Sequence, residues 1–573
     1  MDLSHLIAAA MVVAHASAMS SSTIKGDLNG WYACSDYTFS DEGSSSQDAE
    51  CAVYNAPLYY PSICETPKSA NPKVDIFFKR IPATTGDPKT APNVWLLQGG
   101  PGYSSSAMEA DMIALHSQLE GAVNMYTMDH RGTGRSTRLD CVAAQATTTG
   151  SPWGSQLDPS EVPACAQDLH NKYGDLASFS VTTAATDLAT FISTYTNGAD
   201  TTVYGVSYGT VMVERLMSLA PPEVIGYVLD GVAASSGASA DEFMYMSKSD
   251  SDFGEVGEAF LSLCDHDNEC KTRFARKSLN KTLDDLFHQF DKDPNSTCAM
   301  TSESATNPSS FLRVILSMLL PDMEMRNLIP PIVYRLQRCG PEDVDILTHL
   351  VTTLSSSSAT PQDSAFQSSL LYYLIVFSEL WETPASSNSE LQARFESTKI
   401  NSGGVYNMNA LYCASSKDKS AACDDLNVGS YDGDGIIYKR DHHWNKTVTI
   451  PSQASVLLLS GKLDPQTPHK YAEVLLGVLD GDNKELVAFD YASHDAVVTT
   501  QMVAGDPQSE TCGMKILASY VRNGGDLQRM DKSCVEQMPA FNMTTSEDYV
   551  QHFLSTNEAY DGAFDSSLSS NSN

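Results

Sequence analysis

A serine at position 207 stands in a setting that suits nucleophilic chemistry. It is the centre of the pentapeptide 205–209 (GVSYG), which follows a β-branched strand pattern (201–204, TTVY) and precedes a helical pattern (210–217). Strand, Gly-x-Ser-x-Gly and helix together are typical of a nucleophile elbow, a turn so sharp that a side chain at either flanking glycine would clash. The pentapeptide alone also fits a plain turn before a helix. The interpretation therefore depends on a base, an acid and an oxyanion hole.

A general base and an orienting acid come later in the chain, each after a predicted strand. Asp464 follows the strand pattern 454–460, and His494 follows the strand pattern 486–489. The base has to take the serine proton and the acid has to hold its tautomer, so this pair supplies a proton path. Taken singly, Asp464 also fits a helix cap, and His494 fits a surface histidine. His469 competes for the base, but it begins the helix after Asp464 and is less well placed.

The loop 98–102 (QGGPG) is a candidate oxyanion hole. It follows a predicted strand, and its glycines let the backbone approach a substrate carbonyl closely. The N–H of Tyr208, directly after the candidate nucleophile, is the expected second donor. A phosphate cradle is the rival interpretation, but no Walker lysine follows the glycines.

The segment 129–136 (DHRGTGRS) follows the next predicted strand, 123–128. Asp129 and Arg131 of this segment are expected to pair and to brace the loop beneath the site. We predict a structural role for both rather than direct chemistry.

An α/β core must position these residues. Nearly continuous apolar strand patterns alternate with helices, which predicts a mostly parallel central sheet with helices on both faces. In the middle of the chain the strand patterns fade and long helical patterns predominate, so a large helical cap insertion is expected. The apolar stretch 370–377 is predicted to be cap core rather than a ligand site. The predicted segments are a signal peptide (1–18), a lead-in (19–72), an α/β-hydrolase catalytic domain (73–235 and 449–545), the cap (236–448) and a C-terminal tail (546–573).

The N-terminal region favours secretion. Residues 6–13 are apolar, and residues 16–18 (ASA) fit a signal-peptidase site before Met19. The alternative is an apolar N-terminal helix of the mature fold. No later apolar run reaches the ~18 residues that a membrane span needs, so we expect a soluble, secreted protein. The expected glycosylation sites are the sequons at Asn280, Asn295, Asn445 and Asn542.

The chain contains 13 cysteines, a number that suits an oxidising compartment. Proximity along the chain predicts five local disulfides, which join Cys141 to Cys165, Cys264 to Cys270, Cys298 to Cys339, Cys413 to Cys423 and Cys512 to Cys534. Cys34, Cys51 and Cys64 remain, so one of these three is unpaired or joins another chain. A catalytic thiol is not expected, because no cysteine lies in an elbow-like context.

The formal net charge of −35 argues against nucleic acid and anionic membranes as partners. An acidic field attracts cationic substrates such as peptides with free amino termini, although solubility explains the same charge more simply. His442 and His443 have no partner at the spacing of a metal site. Neither a metal nor a cofactor is predicted.

One combination of motifs carries a resemblance to a known family. The motifs are QGGPG at 98–102, DHRGTGRS at 129–136, GVSYG at 205–209, LDGV at 229–232 and the segments 461–468 and 512–534. Together they resemble the prolyl aminopeptidase and tripeptidyl aminopeptidase family of α/β-hydrolase serine peptidases. Gln98 stands where prolyl aminopeptidases usually have a histidine, which favours the tripeptidyl type. Asp495 stands where a glycine is common after the histidine, and the cap shows little likeness.

The resemblance implies Ser207 as nucleophile, Asp464 as acid and His494 as base, with the N–H groups of Tyr208 and of Gly99 or Gly100 as oxyanion donors. It also implies that cap carboxylates bind the free amino group of a peptide, and the candidates are Glu255, Glu258, Glu379 and Glu382. We therefore expect a secreted serine exopeptidase that cleaves near the N-terminus of peptides through an acyl-enzyme. A carboxylic ester hydrolase with the same triad is the alternative among enzymes. A non-catalytic binding protein with a hydrolase fold is the alternative outside them. The number of residues released, the side-chain preference and the oligomeric state stay open.

Overall fold

The structure is a computed structural model of the 573-residue chain. It describes residues 27–39, 48–64, 71–141, 156–233, 235–299, 307–356, 362–506 and 508–568. The predicted signal peptide and its cleavage site lie outside the described residues.

A ten-stranded mixed sheet forms the centre of the described part of the chain. Its strands are β1 (Asp27–Leu28), β2 (Tyr32–Cys34), β3 (Ala49–Pro57), β4 (Lys73–Ile81), β5 (Asn93–Leu97), β6 (Asn124–Asp129), β7 (Thr201–Val206), β8 (Val224–Asp230), β9 (Ser455–Gly461) and β10 (Lys484–Phe489). The spatial order is β1-β3-β4-β6-β5-β7-β8-β9-β10, and β2 also pairs with β3.

The direction of the strands identifies the fold. Strands β6, β5, β7, β8, β9 and β10 are parallel neighbours, whereas β4 runs antiparallel to both β3 and β6. The exchange of β5 and β6 in the spatial order brings β5 beside β7, so that Leu97 pairs with Gly205. This is the α/β-hydrolase fold, in which the carboxyl ends of the parallel strands share one edge.

Alternating side chains bury both faces of the sheet, as parallel strands require. In β5, Trp95 and Leu97 belong to one apolar core, while Val94 and Leu96 belong to the core on the opposite face. The expected mostly parallel sheet with helices on both faces is therefore confirmed.

Helices cover the two faces of the sheet and make up the insertion. They are α1 (Glu109–Gln118), α2 (Val162–Tyr173), α3 (Val181–Tyr195), α4 (Tyr208–Leu219), α5 (Ser249–Leu263), α6 (Asn268–Arg273), α7 (Leu279–Lys292), α8 (Pro308–Leu319), α9 (Ile329–Arg338), α10 (Pro341–Ser356), α11 (Ser369–Glu379), α12 (Asn388–Glu396), α13 (Val405–Ser416), α14 (Ala421–Asp424), α15 (His469–Val478), α16 (Ala496–Thr499), α17 (Cys512–Arg522) and α18 (Glu547–Leu554). Short 3-10 helices precede several of them. None of the described helices is long and apolar enough to cross a membrane.

The insertion between β8 and β9 contains helices and no strand among its described residues. Helices α5 and α7 to α10 bury their apolar side chains in a second core, which also includes Leu463 and apolar residues of α18. Helix α11 instead joins the core of the α/β part, where Leu370, Leu371 and Leu374 are buried. The stretch 370–377 thus packs as core, with Tyr372 and Tyr373 partly buried at its edge.

Two terminal segments are more ordered than the sequence pattern indicated. The predicted lead-in supplies β1, β2 and β3, and residues 50–57 of β3 pair with β4. The predicted tail contains α18, which packs against α10 of the cap. The buried Arg335 of α9 ties this segment down by donating to the carbonyl oxygens of Glu558, Ala559 and Gly562. Both segments depend on long-range partners, which local periodicity does not reveal.

Six disulfides lie within the described residues. Five have the partners expected from proximity, and the sixth joins Cys34 to Cys51 and so links β2 to β3. Cys64 is a free thiol, and it is half-buried.

Candidate active site

The nucleophile elbow connects β7 to α4. Ser207 has φ 57° and ψ −127°, a strained conformation for a residue with a side chain. A Cβ at Gly205 would lie 2.5 Å from the carbonyl oxygen of Gly209, and a Cβ at Gly209 would lie 2.5 Å from that of Leu97. Any larger residue at either position would therefore displace backbone. The two flanking glycines are required by the close packing of strand, turn and helix.

Asp464 and His494 meet at the carboxyl ends of β9 and β10. His494 Nδ1 lies 2.8 Å from Asp464 Oδ2, and the Asp464 side chain is fully buried. The hydroxyl of Thr467 donates to the same oxygen at 2.7 Å, and the N–H groups of Gln466 and Thr467 donate to Asp464 Oδ1 at 2.9 and 3.0 Å. These donors fix the carboxylate, which in turn fixes the ring of His494 with Nε2 on the side away from the acid.

Two opposing effects act on the pKa of His494. Burial alone would lower it, but the charge and hydrogen bond of Asp464, with smaller contributions from Asp495 and Asp230, raise it to about 9. Asp464 therefore stabilises the protonated imidazole, which is the form that a general base reaches after taking a proton.

His494 and Ser207 are brought together through β8. The N–H of Ser207 donates to the carbonyl oxygen of Asp230 at 2.9 Å. A Cβ at the next residue, Gly231, would lie 3.0 Å from Cε1 of His494, so the imidazole packs directly on that glycine. Ser207 Oγ has no hydrogen-bond partner among the described residues. Such serine–histidine contacts are often loose in a ligand-free site and tighten with substrate.

The loop 98–102 lies against the elbow. A Cβ at Gly99 would be only 2.8 Å from Cβ of Ser207, which places the Gly99 backbone beside the serine. The buried Gln98 braces this loop, because its Nε2 donates to the carbonyl oxygen of Tyr103 at 2.7 Å. Tyr208 is the first residue of α4, so its N–H is one of the unpaired donors at a helix N-terminus. The structure thus places Gly99 beside Ser207 and Tyr208 directly after it, at the start of α4.

The expected ion pair between Asp129 and Arg131 is not formed. Arg131 forms a bidentate pair with Asp187, with both distances 2.7 Å, and both side chains are fully buried. Asp129 instead accepts from Arg135 at 2.8 Å and from the N–H of Ser105 at 2.6 Å. The two residues do brace the loop, but Asp129 pairs within the segment 129–136, whereas Arg131 pairs with a residue of α3.

Each of the four candidate amine-binding glutamates already contacts a cation. The pairs, with their nitrogen–oxygen distances, are Glu255 with Lys470 (2.5 Å), Glu258 with Lys399 (2.5 Å), Glu379 with Arg215 (2.9 Å) and Glu382 with Arg394 (2.6 Å). A carboxylate neutralised in this way is a poor partner for a substrate ammonium. The structure therefore gives these residues structural contacts.

Three acidic residues and a tyrosine lie together behind His494. The hydroxyl of Tyr204 is 3.1 Å from both Asp230 Oδ2 and Asp495 Oδ1. Burial and the charge of Asp495 raise the pKa of Asp230 well above its usual range, and the same two causes raise the pKa of Asp111 to about 8. The motifs around Asp230 and Asp495 predicted no role for either residue.

His469, His442 and His443 take no part in this arrangement. His469 contacts Ser460, at 3.0 Å from its Nδ1 to the serine Oγ, and not Asp464. His442 and His443 pack on each other, and the described residues contain no group of side chains able to hold a metal ion.

The sequons differ in exposure. Asn295 and Asn542 are exposed. Asn280 and Asn445 are half-buried, and their side-chain amides donate to Glu258 at 2.5 Å and to the carbonyl oxygen of Ala238 at 3.0 Å. Glycosylation at Asn280 or Asn445 would have to break these contacts, so Asn295 and Asn542 are the better acceptors.

Comparisons with known proteins find similarity in solved structures only. No family model and no curated protein sequence matches the chain. Alpha/beta hydrolase domain-containing protein 10 from mouse is 8% identical with a TM-score of 0.29, and the match covers 80% of this chain and 96% of that protein. Acetyl xylan esterase 1 from Thermoanaerobacterium is 11% identical with a TM-score of 0.30, over 82% and 84% of the two chains. Proline iminopeptidase from Mycobacterium smegmatis is 13% identical with a TM-score of 0.28, over 79% and 96%. At these values the matches indicate no particular substrate.

Proposed function

We propose that this protein is a serine hydrolase that works through an acyl-enzyme. The observation that carries the proposal is the 2.8 Å contact between His494 Nδ1 and the buried Asp464, placed behind a strained serine elbow. His494 would take the proton of Ser207 while Ser207 Oγ attacks the substrate carbonyl. The N–H groups of Tyr208 and of Gly99 or Gly100 would stabilise the oxyanion, an interaction that typically contributes ~2.7–4 kcal/mol per donor. His494 then protonates the leaving group, and water hydrolyses the ester.

The nucleophile is tested by covalent labelling. A fluorophosphonate probe should label the native protein, and Ser207→Ala should abolish labelling while far-UV circular dichroism and the melting temperature stay close to native. Ser193→Ala serves as a matched control, because Ser193 lies on the exposed side of α3 and donates to Glu223 at 3.0 Å. Undiminished labelling of Ser207→Ala would contradict the assignment.

As the substrate class we propose peptides, cleaved near a free N-terminus. The combination of family motifs and the net charge of −35 support this choice, because an acidic protein concentrates cationic amino termini. The six disulfides are compatible with the secreted location that we also propose. Mass spectrometry of the products from a mixed peptide library would report how many residues are released in each cut.

A carboxylic ester hydrolase is the second candidate, and one observation favours it. All four cap glutamates expected to bind an ammonium are paired with Lys or Arg. Paired substrates that differ only by N-acetylation separate the two candidates. An aminopeptidase loses turnover on the acetylated peptide, whereas equal rates on both peptides, together with faster cleavage of a simple acyl ester, would indicate the esterase.

A further inference from the structure

The motif LDGV at 229–232 contains a residue that contacts the loops of both the serine and the histidine. We infer that Asp230 is a positioning residue that sets the distance between Ser207 and His494. The inference rests on the proposed function, because it assigns Asp230 a part in the same reaction without contact to substrate.

Asp230 reaches the nucleophile through its main chain. It is the last residue of β8, and its carbonyl oxygen accepts from the N–H of Ser207 at 2.9 Å. This bond continues the parallel pairing of Val206 with Asp230 by one step, into the elbow itself. The height of Ser207 above the sheet is therefore set by the end of β8.

Asp230 reaches the histidine loop through its side chain. Oδ1 accepts from the N–H of Ala496 at 2.8 Å, and Oδ2 accepts from the N–H of Val497 at 2.9 Å. These donors begin α16, only two and three residues after His494. The carboxylate thus holds the chain just behind the base, over a sequence separation of 266 residues between Asp230 and Ala496.

The backbone between His494 and α16 requires stabilising contacts of this kind. Asp495 has φ 64°, a left-handed conformation that costs free energy in a residue with a side chain. The hydroxyl of Tyr204, which bridges Asp230 Oδ2 and Asp495 Oδ1 at 3.1 Å each, joins the bend to β7 and β8. The ionisable groups that face Asp230 are Asp111 from α1, Tyr204 from β7, and His494 and Asp495 from the histidine loop.

Asp230 affects the proposed reaction through the distance between Ser207 and His494. Ser207 Oγ has no hydrogen-bond partner among the described residues, so its approach to His494 depends on the two loops that Asp230 joins. A displacement of about 1 Å between reacting groups typically lowers the rate by about 100-fold. Asp230→Asn keeps the size and one acceptor oxygen, but its NH2 group would oppose one of the two N–H donors and release one end of the link to the histidine loop.

The test compares Asp230→Asn with Asp343→Asn. Asp343 is also buried and accepts from a backbone N–H, that of Gly340 at 3.0 Å, but it lies in the cap. We expect Asp230→Asn to lower kcat and the fluorophosphonate labelling rate by up to about 100-fold, with KM within about 2-fold of native. The folded Asp343→Asn variant should keep both rates even if its melting temperature falls. Equal labelling rates for native protein and folded Asp230→Asn would overturn the proposal.

Amide hydrogen exchange separates this proposal from the proposed function. In Asp230→Asn the amides of Ala496 or Val497 should exchange faster than in the native protein, and in Asp343→Asn they should not. If the native protein is not labelled at Ser207 at all, the proposed function fails. Unchanged exchange rates of both amides in Asp230→Asn would contradict the proposed link between Asp230 and the histidine loop, whatever the activity of the variant. If Asp230→Asn does not fold, Tyr204→Phe removes the bridging hydroxyl, and an unchanged labelling rate and exchange there would likewise contradict this link.

Discussion

The protonation state of His494 is decided by charges on two sides of the imidazole. Asp464 holds Nδ1 from the front, while Asp495 and Asp230 lie behind, and together they outweigh burial and raise the pKa of His494 to about 9. A general base works only in its neutral form. Activity should therefore increase with pH above the ordinary histidine value of about 6.5.

Removing the charge of Asp495 should lower the pKa of His494. Asp495→Gly deletes a carboxylate that raises the pKa of His494, and glycine accepts φ 64° without strain. The acidic limb of kcat/KM against pH should move to lower pH than in the native enzyme. Asp490→Asn is the control, because Asp490 is 66% exposed and pairs with Lys462, so solvent screens its charge. An equal shift in both variants would mean that the net charge of the protein, not the proximity of Asp495 to His494, determines the position of the acidic limb.

At the scale of elements, the elbow depends on the packing of β7 against α4. Gly205→Ala would place a Cβ 2.5 Å from the carbonyl oxygen of Gly209, so strand and helix must separate. We expect a loss of about 1–3 kcal/mol in the free energy of unfolding, typical of overpacking, together with loss of activity. Gly477→Ala on α15 is the control, since a Cβ there meets no atom within 4 Å.

In the Gly477→Ala control, the free energy of unfolding should increase rather than decrease. Alanine is favoured over glycine within a helix by about 0.5–1 kcal/mol, so Gly477→Ala should be slightly stabilising and fully active. Urea denaturation followed by circular dichroism measures both changes. A Gly205→Ala variant as stable and as active as native protein would contradict the packing described for the elbow.

Helix α4 is also joined to the cap by a buried ion pair. Arg215 and Glu379 have side chains only 4% and 3% exposed, and Tyr438 donates to the second oxygen of Glu379 at 2.7 Å. Glu379→Ala leaves the buried Arg215 with the hydroxyl of Thr182 and with one more distant carboxylate, that of Asp441 at 3.7 Å. We expect a loss of about 3–5 kcal/mol in the free energy of unfolding.

The same substitution tests the expected role in amine binding. Glu255 is 61% exposed beside Lys470, so Glu255→Ala should change stability by less than about 1 kcal/mol. Chemical denaturation of the two variants measures the contrast. A Glu379→Ala variant of native stability but with a raised KM for peptides with free amino termini would restore the substrate-binding role.

The sequence predicted those parts of the site that depend on strand ends. Asp464 and His494 follow apolar strands. A strand in a sheet that is covered on both faces is a nearly continuous run of apolar residues, and such a run can be recognised from the sequence alone. Thr467, which holds the acid, and Asp230, which joins the two loops, carry no such local signal. The partner of Arg131 was wrongly expected nearby, because the choice between Asp129 and Asp187 is made by packing across the fold.

At the scale of the whole molecule, the helices of the cap are divided between two apolar cores. This division explains why the sequence predicted the cap helices but not the binding surface that they form. Helices α5 and α7 to α10 share one apolar core, while α11 belongs to the core of the α/β part. Periodicity within a helix predicts that one side is buried, but not which neighbour covers it. One contact of the cap with the α/β part is at α11, whose preceding Ser368 donates its N–H to the carbonyl oxygen of Gly102 at 2.9 Å. The loop of the proposed oxyanion hole is therefore held by the cap.

The disulfides of the cap predict how its stability depends on chain connectivity. Cys298–Cys339 closes a sequence separation of 41 residues and Cys264–Cys270 one of 6, and both contribute to the core of the cap. In the chain-entropy description, the longer loop should stabilise by about 1.7 kcal/mol more, because the loss of unfolded-state entropy grows with the logarithm of loop length. Replacing each pair by two alanines, followed by guanidinium denaturation, measures the difference. If removal of the short loop costs as much as removal of the long one, native packing around the sulfurs, rather than the entropy of the unfolded chain, determines the contribution of these crosslinks.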